Sequence, residues 1–507
     1  MPFEFLFMRR NSLNRKLNRI VALVVASGVL LNACATAPGT LPDAPQTTAP
    51  FTKPAAAPSA GIASIHAASP DVTHTVNLPI AMMRYPLQNV FGTEYSELTT
   101  EGGLDKMAEA GNTWARRNAL TWNQVEQVKG QRLWQTQAAL EQDMINASAK
   151  NINTVLIVRS VPTWAQKIPG SACGPVAPSE YAAFAQFLKD AVARYSQPPY
   201  NVKYWEIWNE PDIDVSQGDN VFGCMGNSAD AYYGGGEYAN LLKAIYPEIK
   251  AANPQASVLL GGMLLYSNGK GCVSNCPGKW LEGILRNGGG NFFEGISFHA
   301  YDFYMTDNIP GHFNSLSFGT NWKDDGPVVI AKAKFLQSVL STYNVTGKYL
   351  MNTEGALICG DAFASQPHCK TPEFQTAKAY YAAQMYAATL ALNLRATLWY
   401  AFYGWRGSAI ADGTPNNTTP VYTAIKVSRA HLQDAQFKAD INVSGLRGYE
   451  FTRGNRKLWV VWSADGDTHN VSLTPTPVSI QDALGNVIAP ANSIDVTLKP
   501  LYIEWNQ

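Results

Sequence analysis

Tyr204-Trp205-Glu206-Ile207-Trp208-Asn209-Glu210-Pro211-Asp212 is a β-rich run that stops abruptly at Asn-Glu-Pro. Proline cannot donate to a ladder and turns the chain away, so Glu210 is left at a strand end. Working outward, the run is flanked by amphipathic helices. Tyr181, Phe184, Phe187, Leu188, Ala191, Val192 and Tyr195 share one helical face upstream. Tyr238, Leu241, Leu242, Ile245 and Ile249 repeat the pattern downstream, interrupted by Pro247. Asn153 to Val158 and Ser257 to Met263 are apolar runs of buried-strand length, as are Gly295 to His299, Lys348 to Asn352 and Ala396 to Ala401. Thr371-Pro372 opens a further helix with a capping residue and a first-turn proline.

Strand–helix alternation between about residues 80 and 432 predicts a parallel sheet, and this length suits eight units closed into a (β/α)₈ TIM barrel over residues 76–436. An open doubly wound sheet is the alternative, but no glycine-rich dinucleotide fingerprint opens any unit. The first strand falls somewhere in Asn77 to Phe91. From 437 to 507 the texture changes to short strand-like runs, Leu458 to Trp462, Asn470 to Leu473 and Asp495 to Trp505. Asp-Gly, Thr-Pro and Gly-Asn turns separate them, predicting a small C-terminal antiparallel β domain, sandwich-like, packed by Trp459, Trp462 and Trp505.

The N-terminus reads as a targeting segment. Arg9, Arg10, Arg15, Lys16 and Arg19 precede the apolar run Ile20 to Leu31, with Met8 as a candidate start. Crossing a bilayer takes about 20 residues, so this shorter run fits a signal sequence. Leu31-Asn32-Ala33-Cys34 resembles the bacterial lipobox, with Asn32 as its departure from the usual pattern, which makes 1–34 a lipoprotein signal peptide and Cys34 the lipid attachment site. An ordinary cleaved signal peptide is the alternative. Residues 35–75, rich in Ala, Pro and Thr, read as a disordered tether. The resemblance implies export to the periplasm or cell surface, with the outer membrane favoured by Ala35. The other cysteines agree with an oxidising compartment: Cys173, Cys224, Cys272, Cys276, Cys359 and Cys369. Six cysteines allow 15 pairings. Short loops point to Cys272–Cys276 and Cys359–Cys369, leaving Cys173 with Cys224. Zinc is the competing reading, but no histidines accompany the cysteines at ligand spacing, so no metal and no cofactor are expected.

Lys and Arg number 39, as do Asp and Glu, and this balance gives no support for a nucleic-acid partner, whose phosphates would demand a basic surface. On a barrel, chemistry belongs at the C-terminal ends of strands. Two carboxylates stand at such places: Glu210, and Glu354 in Tyr349-Leu350-Met351-Asn352-Thr353-Glu354-Gly355. Retaining glycosidic cleavage needs a carboxyl pair about 5 to 5.5 Å apart.

WEIWNEPD resembles the fourth-strand signature of clan A glycoside hydrolases, and the Glu354 segment resembles their seventh strand. The resemblance implies Glu210 as acid/base, Glu354 as nucleophile and Asn209 as a contact to the sugar 2-hydroxyl. Trp114 to Glu126 resembles the second strand, whose arginine stands five residues before a tryptophan. That spacing picks Arg117 against Trp122, with Arg116 as the alternative. Glu206, four residues before Glu210, is read as an inward structural partner for an arginine such as Arg117. Pro162-Thr163-Trp164-Ala165 resembles the third-strand end, and Ser297-Phe298-His299-Ala300-Tyr301 the sixth strand. By resemblance His299 meets substrate or acid/base, Tyr301 bonds the nucleophile, and Trp164, Trp399 and Trp405 contact sugar, Trp399 as the platform. The likeness spans roughly 350 residues and is nearest to family 39 and related bacterial exopolysaccharide endoglycosidases, although family 5 shares several motifs.

The reading is a monomeric retaining glycoside hydrolase, endo-acting on a polysaccharide. An exo-acting glycosidase of the xylosidase type and a non-catalytic carbohydrate-binding lipoprotein are the alternatives.

Overall fold

The computed structural model describes residues 89–216, 223–265, 274–304, 322, 326–359 and 370–507. Cys34, the 1–34 leader, the 35–75 tether, Cys272 and Cys369 lie outside the described residues.

Eight parallel strands close into a barrel in sequence order. They are β1 (Phe91–Glu94), β2 (Trp114–Thr121), β3 (Asn153–Arg159), β4 (Tyr204–Asn209), β5 (Ser257–Met263), β6 (Gly295–Tyr304), β7 (Tyr349–Cys359) and β8 (Thr397–Trp399). β1 pairs with both β2 and β8, which shuts the ring. After each strand comes a helix: α1 (Leu104–Glu109), α2 (Ala138–Ala149), α3 (Tyr181–Tyr195), α4 (Gly235–Ala252), α5 (Trp280–Arg286), α6 (Val329–Thr342), α7 (Pro372–Ala391) and α8 (Pro420–Leu432).

The apolar stripe read on α3 is its buried face, Phe184, Phe187, Leu188, Ala191, Val192 and Tyr195. α4 runs through Pro247, which lies on its exposed side, where water meets the carbonyl that proline leaves unbonded. α7 opens as its sequence predicts, with the Phe374 N–H donating to Thr371 Oγ1 at 3.3 Å. None of the described helices is long and apolar enough to cross a membrane.

Three differences from the sequence reading concern strands. β1 begins where its predicted window ends, because its four residues include Gly92, Thr93 and Glu94 and offer no apolar run. β6 and β7 continue well past His299 and Glu354 and stay paired as far as Tyr304 and Cys359, so Glu354 lies within a strand and not at its end. Their register shifts between Phe298 and His299, which places Thr353 as an extra residue immediately before Glu354.

Inside the barrel, Trp114, Val155, Leu259, Tyr349, Met351, Ala396 and Leu398 form a buried floor of their own. The main core lies between strands and helices and continues into the C-terminal strands. There a six-stranded antiparallel sheet runs β14 (Val487–Ile488), β13 (Ser479–Asp482), β16 (Leu501–Asn506), β11 (Arg456–Ser463), β10 (Leu446–Arg453), β9 (Gln436–Asp440). Strand alternation divides its faces. Tyr449, Phe451, Leu458, Val460, Trp462 and Tyr502 join the barrel's core, whereas Val461, Ile480, Ile503 and Trp505 pack with Val471 and Val496 of the ribbon β12 (His469–Ser472)–β15 (Ser493–Val496). Trp462 thus packs toward the barrel, while Trp505 packs within the β region and Trp459 lies half-buried against it. The junction is also polar. Ser428 of α8 bonds Tyr502 at 2.7 Å, and His431 stacks on the Tyr502 ring while contacting Glu504 at 2.8 Å.

Because that core is continuous, Trp462→Ala is expected to cost about 3–5 kcal/mol and to lower one shared calorimetric transition. Two separate transitions, with the larger unmoved, would show the barrel to be independent of the sheet.

Candidate active site

The site is organised around Arg116 on β2, whose side chain is fully buried. Its Nη1 donates to Glu94 Oε2 at 2.6 Å and to Glu354 Oε1. Nε and Nη2 both donate to Glu206 Oε1, at 3.2 and 2.6 Å. Nη2 also donates to Asn209 Oδ1 at 2.7 Å and stands 3.4 Å from His299 Nε2. One guanidinium therefore ties together β1, β4 and β7 across the barrel mouth. A planar fork with five donors can do this, and an ammonium cannot.

Arg117, the residue that the spacing picks, lies elsewhere. It points outward and donates to Asp143 of α2 at 2.6 Å. The reason is strand parity: Trp114 belongs to the interior floor, so Arg116 faces inward and Arg117 outward. Glu206 is inward and paired with arginine, as read, but with Arg116.

Glu210 follows β4 and is 4% exposed. Its Oε1 contacts His299 Nδ1 at 2.8 Å, while its Oε2 is buried without a hydrogen-bond partner. Trp208 and Glu210 both adopt left-handed backbone angles, φ 79° and 48°, a conformation held only where surroundings over-determine it. Glu210 N–H donates to Gly262 O at 2.8 Å, and Trp208 Nε1 donates to Cys173 O at 2.9 Å. The Cys173–Cys224 disulfide ties the loops on either side. Cys276 and Cys359 are disulfide-bonded as well. Gly262 matters for a second reason: a Cβ there would stand 2.2 Å from His299 Nε2.

Glu354 receives donors on both oxygens, Arg116 on Oε1 and the Tyr301 hydroxyl on Oε2. One oxygen each of Glu210 and Glu354 and a ring nitrogen of His299 all lie within 4.8 Å of one another. Such a trio has metal-ligand chemistry, but the permanent cation of Arg116 already bonds Glu354 beside His299 and opposes a second positive charge.

Burial raises both carboxyls above the usual range, but unequally. Glu210 is raised strongly, by burial first and then by the Glu354 and Asp212 charges. For Glu354, burial is opposed by Arg116 and Tyr301. The two donors into Glu354 therefore favour its ionised form, whereas burial and the neighbouring charges favour the protonated form of Glu210. Burial, then Arg116 and Lys332, holds His299 well below its ordinary value, so its ring is neutral. Glu94 is pushed up to about 8 by burial, against the pull of Arg116.

Three tryptophans read as sugar contacts are placed differently from one another. Trp399 is fully buried, donates Nε1 to Ser408 O at 2.8 Å and packs beside Tyr381 of α7. It faces the helices because Leu398, in the barrel floor, takes the inward position, and Tyr400 follows on the inner side. Tyr400 and Trp405 each set a ring edge-on to Tyr301, with centroids 5.9 and 6.2 Å away. Trp164 packs on Trp122 and donates to Glu126 O at 3.1 Å, a contact with the loop after β2 and not with the carboxylates. The site therefore gathers Glu210, Glu354, Asn209, His299, Tyr301 and Trp405. Sequence reading missed Glu94 and Tyr400.

No protein-family model and no curated protein sequence matches the chain. Solved structures with the same fold do. A family 39 glycoside hydrolase from Bacteroides cellulosilyticus is 18% identical, with TM-score 0.61 over 82% of this chain and 80% of its own. A GH30 endoxylanase from Clostridium papyrosolvens is 12% identical, with TM-score 0.55 over 83% and 98%. An α-L-arabinofuranosidase from Thermotoga maritima is 12% identical, with TM-score 0.52 over 83% and 97%.

The two arginines make opposite predictions. Arg116→Met strands three buried carboxyls and is expected to cost about 3–5 kcal/mol, whereas Arg117→Met breaks a single pair, with Asp143, and is expected to cost less. Carboxyls whose folded pKa is raised lose stability as pH rises from their unfolded value through the folded one. Denaturant titrations of Arg116→Met should therefore show a larger deficit at pH 8 than at pH 5. An equal deficit at both would mean that the carboxylates are not held by this charge.

Proposed function

We propose that this protein is a retaining glycoside hydrolase in which Glu354 is the nucleophile and Glu210 the acid/base. The observation that carries the reading is the carboxyl pair, within 4.8 Å at their nearest oxygens and unequal in hydrogen-bond partners, Glu354 taking donors on both oxygens and Glu210 having none on Oε2. Retaining enzymes hold their carboxyls about 5–5.5 Å apart, while inverting ones leave about 6.5–9.5 Å for a water. The fold shared with family 39 and GH30 enzymes supports the same reading.

In the first step a Glu354 oxygen attacks the anomeric carbon, the C–O bond to the leaving group breaks, and the Glu210 proton goes to the departing oxygen. A glycosyl ester on Glu354 and an ionised Glu210 result. In the second step water attacks the anomeric carbon, its proton returns to Glu210, and the ester bond to Glu354 breaks. The partnerless Glu210 Oε2 is the group aimed at the leaving oxygen. Arg116 accounts for one end of the Asn209 amide and so fixes its nitrogen as the donor, suited to the sugar 2-hydroxyl. Tyr400 and Trp405 supply the aromatic wall.

We read the action as endo, on a polysaccharide, in keeping with the endoxylanase among the similar structures. Export as a lipoprotein, anchored through Cys34 and tethered by residues 35–75, is supported by the signal-like N-terminus and by the disulfides, which need an oxidising compartment.

Residues 76–507 incubated with a panel of bacterial and plant polysaccharides should release oligosaccharides early, and Glu354→Ala should release none. Monosaccharides alone would make the enzyme exo-acting, and full activity in Glu354→Ala would sink the nucleophile assignment. The pH profile of kcat/KM should be bell-shaped, falling at high pH as Glu210 loses its proton, and Glu210→Ala should flatten that basic limb. In the full chain, Cys34→Ala should abolish lipid labelling and release the protein from membranes. Unchanged membrane retention would refute the anchor.

A further inference from the structure

Behind the carboxyl pair lies a buried polar cluster that the proposed chemistry does not use. Lys332 of α6 is 4% exposed. Its ammonium donates to the carbonyl of His299 at 2.7 Å and to that of Leu264 at 2.8 Å. Both carbonyls lie beside irregular pairing. The β6–β7 register shifts at His299, and the β5–β6 register shifts between Leu260 and Met263, just before Leu264.

The Leu264 peptide is held from its other side too. Asp212, two residues after Glu210, accepts the N–H groups of Leu264 and Leu265 at 2.8 and 2.7 Å. The ammonium thus reaches both members of the His299–Glu210 contact, His299 directly and Glu210 through Leu264 and Asp212. The other groups facing it are Asp302, which accepts from Val328 N–H at 2.8 Å and from Tyr381, and the Trp322 ring. Burying a lysine among backbone carbonyls costs free energy unless its charge and donors are used. Packing α6 against the barrel would be served equally by a leucine or a methionine.

We propose that Lys332 is a positioning residue for the acid/base, holding the His299 ring against Glu210 by clamping the end of β5 to the middle of β6. This rests on the assignment of Glu210 as the acid. Its role falls on leaving-group protonation and not on nucleophilic attack, because Glu354 is held independently by Arg116 and Tyr301. Burial lowers the Lys332 pKa to about 8, so the clamp keeps its charge at neutral pH.

The test compares wild type, Lys332→Met and Lys332→Gln on aryl glycosides of the sugar identified by the polysaccharide screen. Glutamine retains two donors without the charge, and it stands in if the methionine variant fails to fold. Lys332→Met should lose roughly 10-fold or more in kcat/KM on phenyl glycosides, which need protonation, and change little on dinitrophenyl glycosides. Lys332→Gln should recover part of the loss. An equal loss on both leaving groups, or none on either, would overturn the proposal. A crystal structure of either variant decides the matter without a substrate. Displacement of His299 from Glu210 supports the clamp, and the wild-type 2.8 Å contact retained refutes it. Failure of wild type on every glycoside would count against the glycosidase reading and leave that structural outcome standing.

Discussion

The constraint on which the rest of the site depends is the buried charge of Arg116. An isolated guanidinium at the barrel mouth would be prohibitively costly, and three buried carboxylates without it would be costlier. Together they set strand positions, since Glu94, Glu206 and Glu354 come from β1, β4 and β7 and must meet the same planar group from β2. The excess of acid over base in this cluster has a chemical consequence. Not every carboxyl can be ionised at once, so protons are retained at neutral pH, and position decides where.

That decision separates Glu210 from Glu354. Both are buried, so desolvation alone would treat them alike. Glu354 sits where Arg116 and Tyr301 donate into both its oxygens, whereas Glu210 has a neutral histidine on one oxygen and nothing on the other. Two chemically identical groups acquire different proton affinities from their neighbours alone, and the proposed division of roles rests on that difference. Backbone strain at Trp208 and Glu210 and the close approach of Gly262 to His299 are the local means by which Glu210 is brought into place.

Much of this was legible in the residues. The barrel followed from alternation and length, and Asn209, Glu210, His299, Tyr301 and Glu354 from motif order. Of the three residues that lie away from the place their motifs imply, Trp164, Arg117 and Trp399, the last two share a physical cause. At both, the motif names a residue type and a spacing but not the side of the strand that the residue faces. Trp114 and Leu398, both apolar and both in the barrel floor, carried the information, since residues two apart on a strand face the same way. Glu94 was harder to find, because β1 has no apolar run to announce it. The extension of β6 and β7 beyond the barrel was hidden by the register shift at Thr353, which breaks the alternation from which strand length is read.

The most direct measurement is the stereochemistry of the first product, followed by proton NMR of the anomeric signal during hydrolysis. A carboxyl pair within 4.8 Å predicts that the newly formed anomer has the configuration of the bond cleaved, with the opposite anomer arising only later by mutarotation. An inverted anomer appearing first would contradict a covalent intermediate on Glu354 and would require a water to attack in its place.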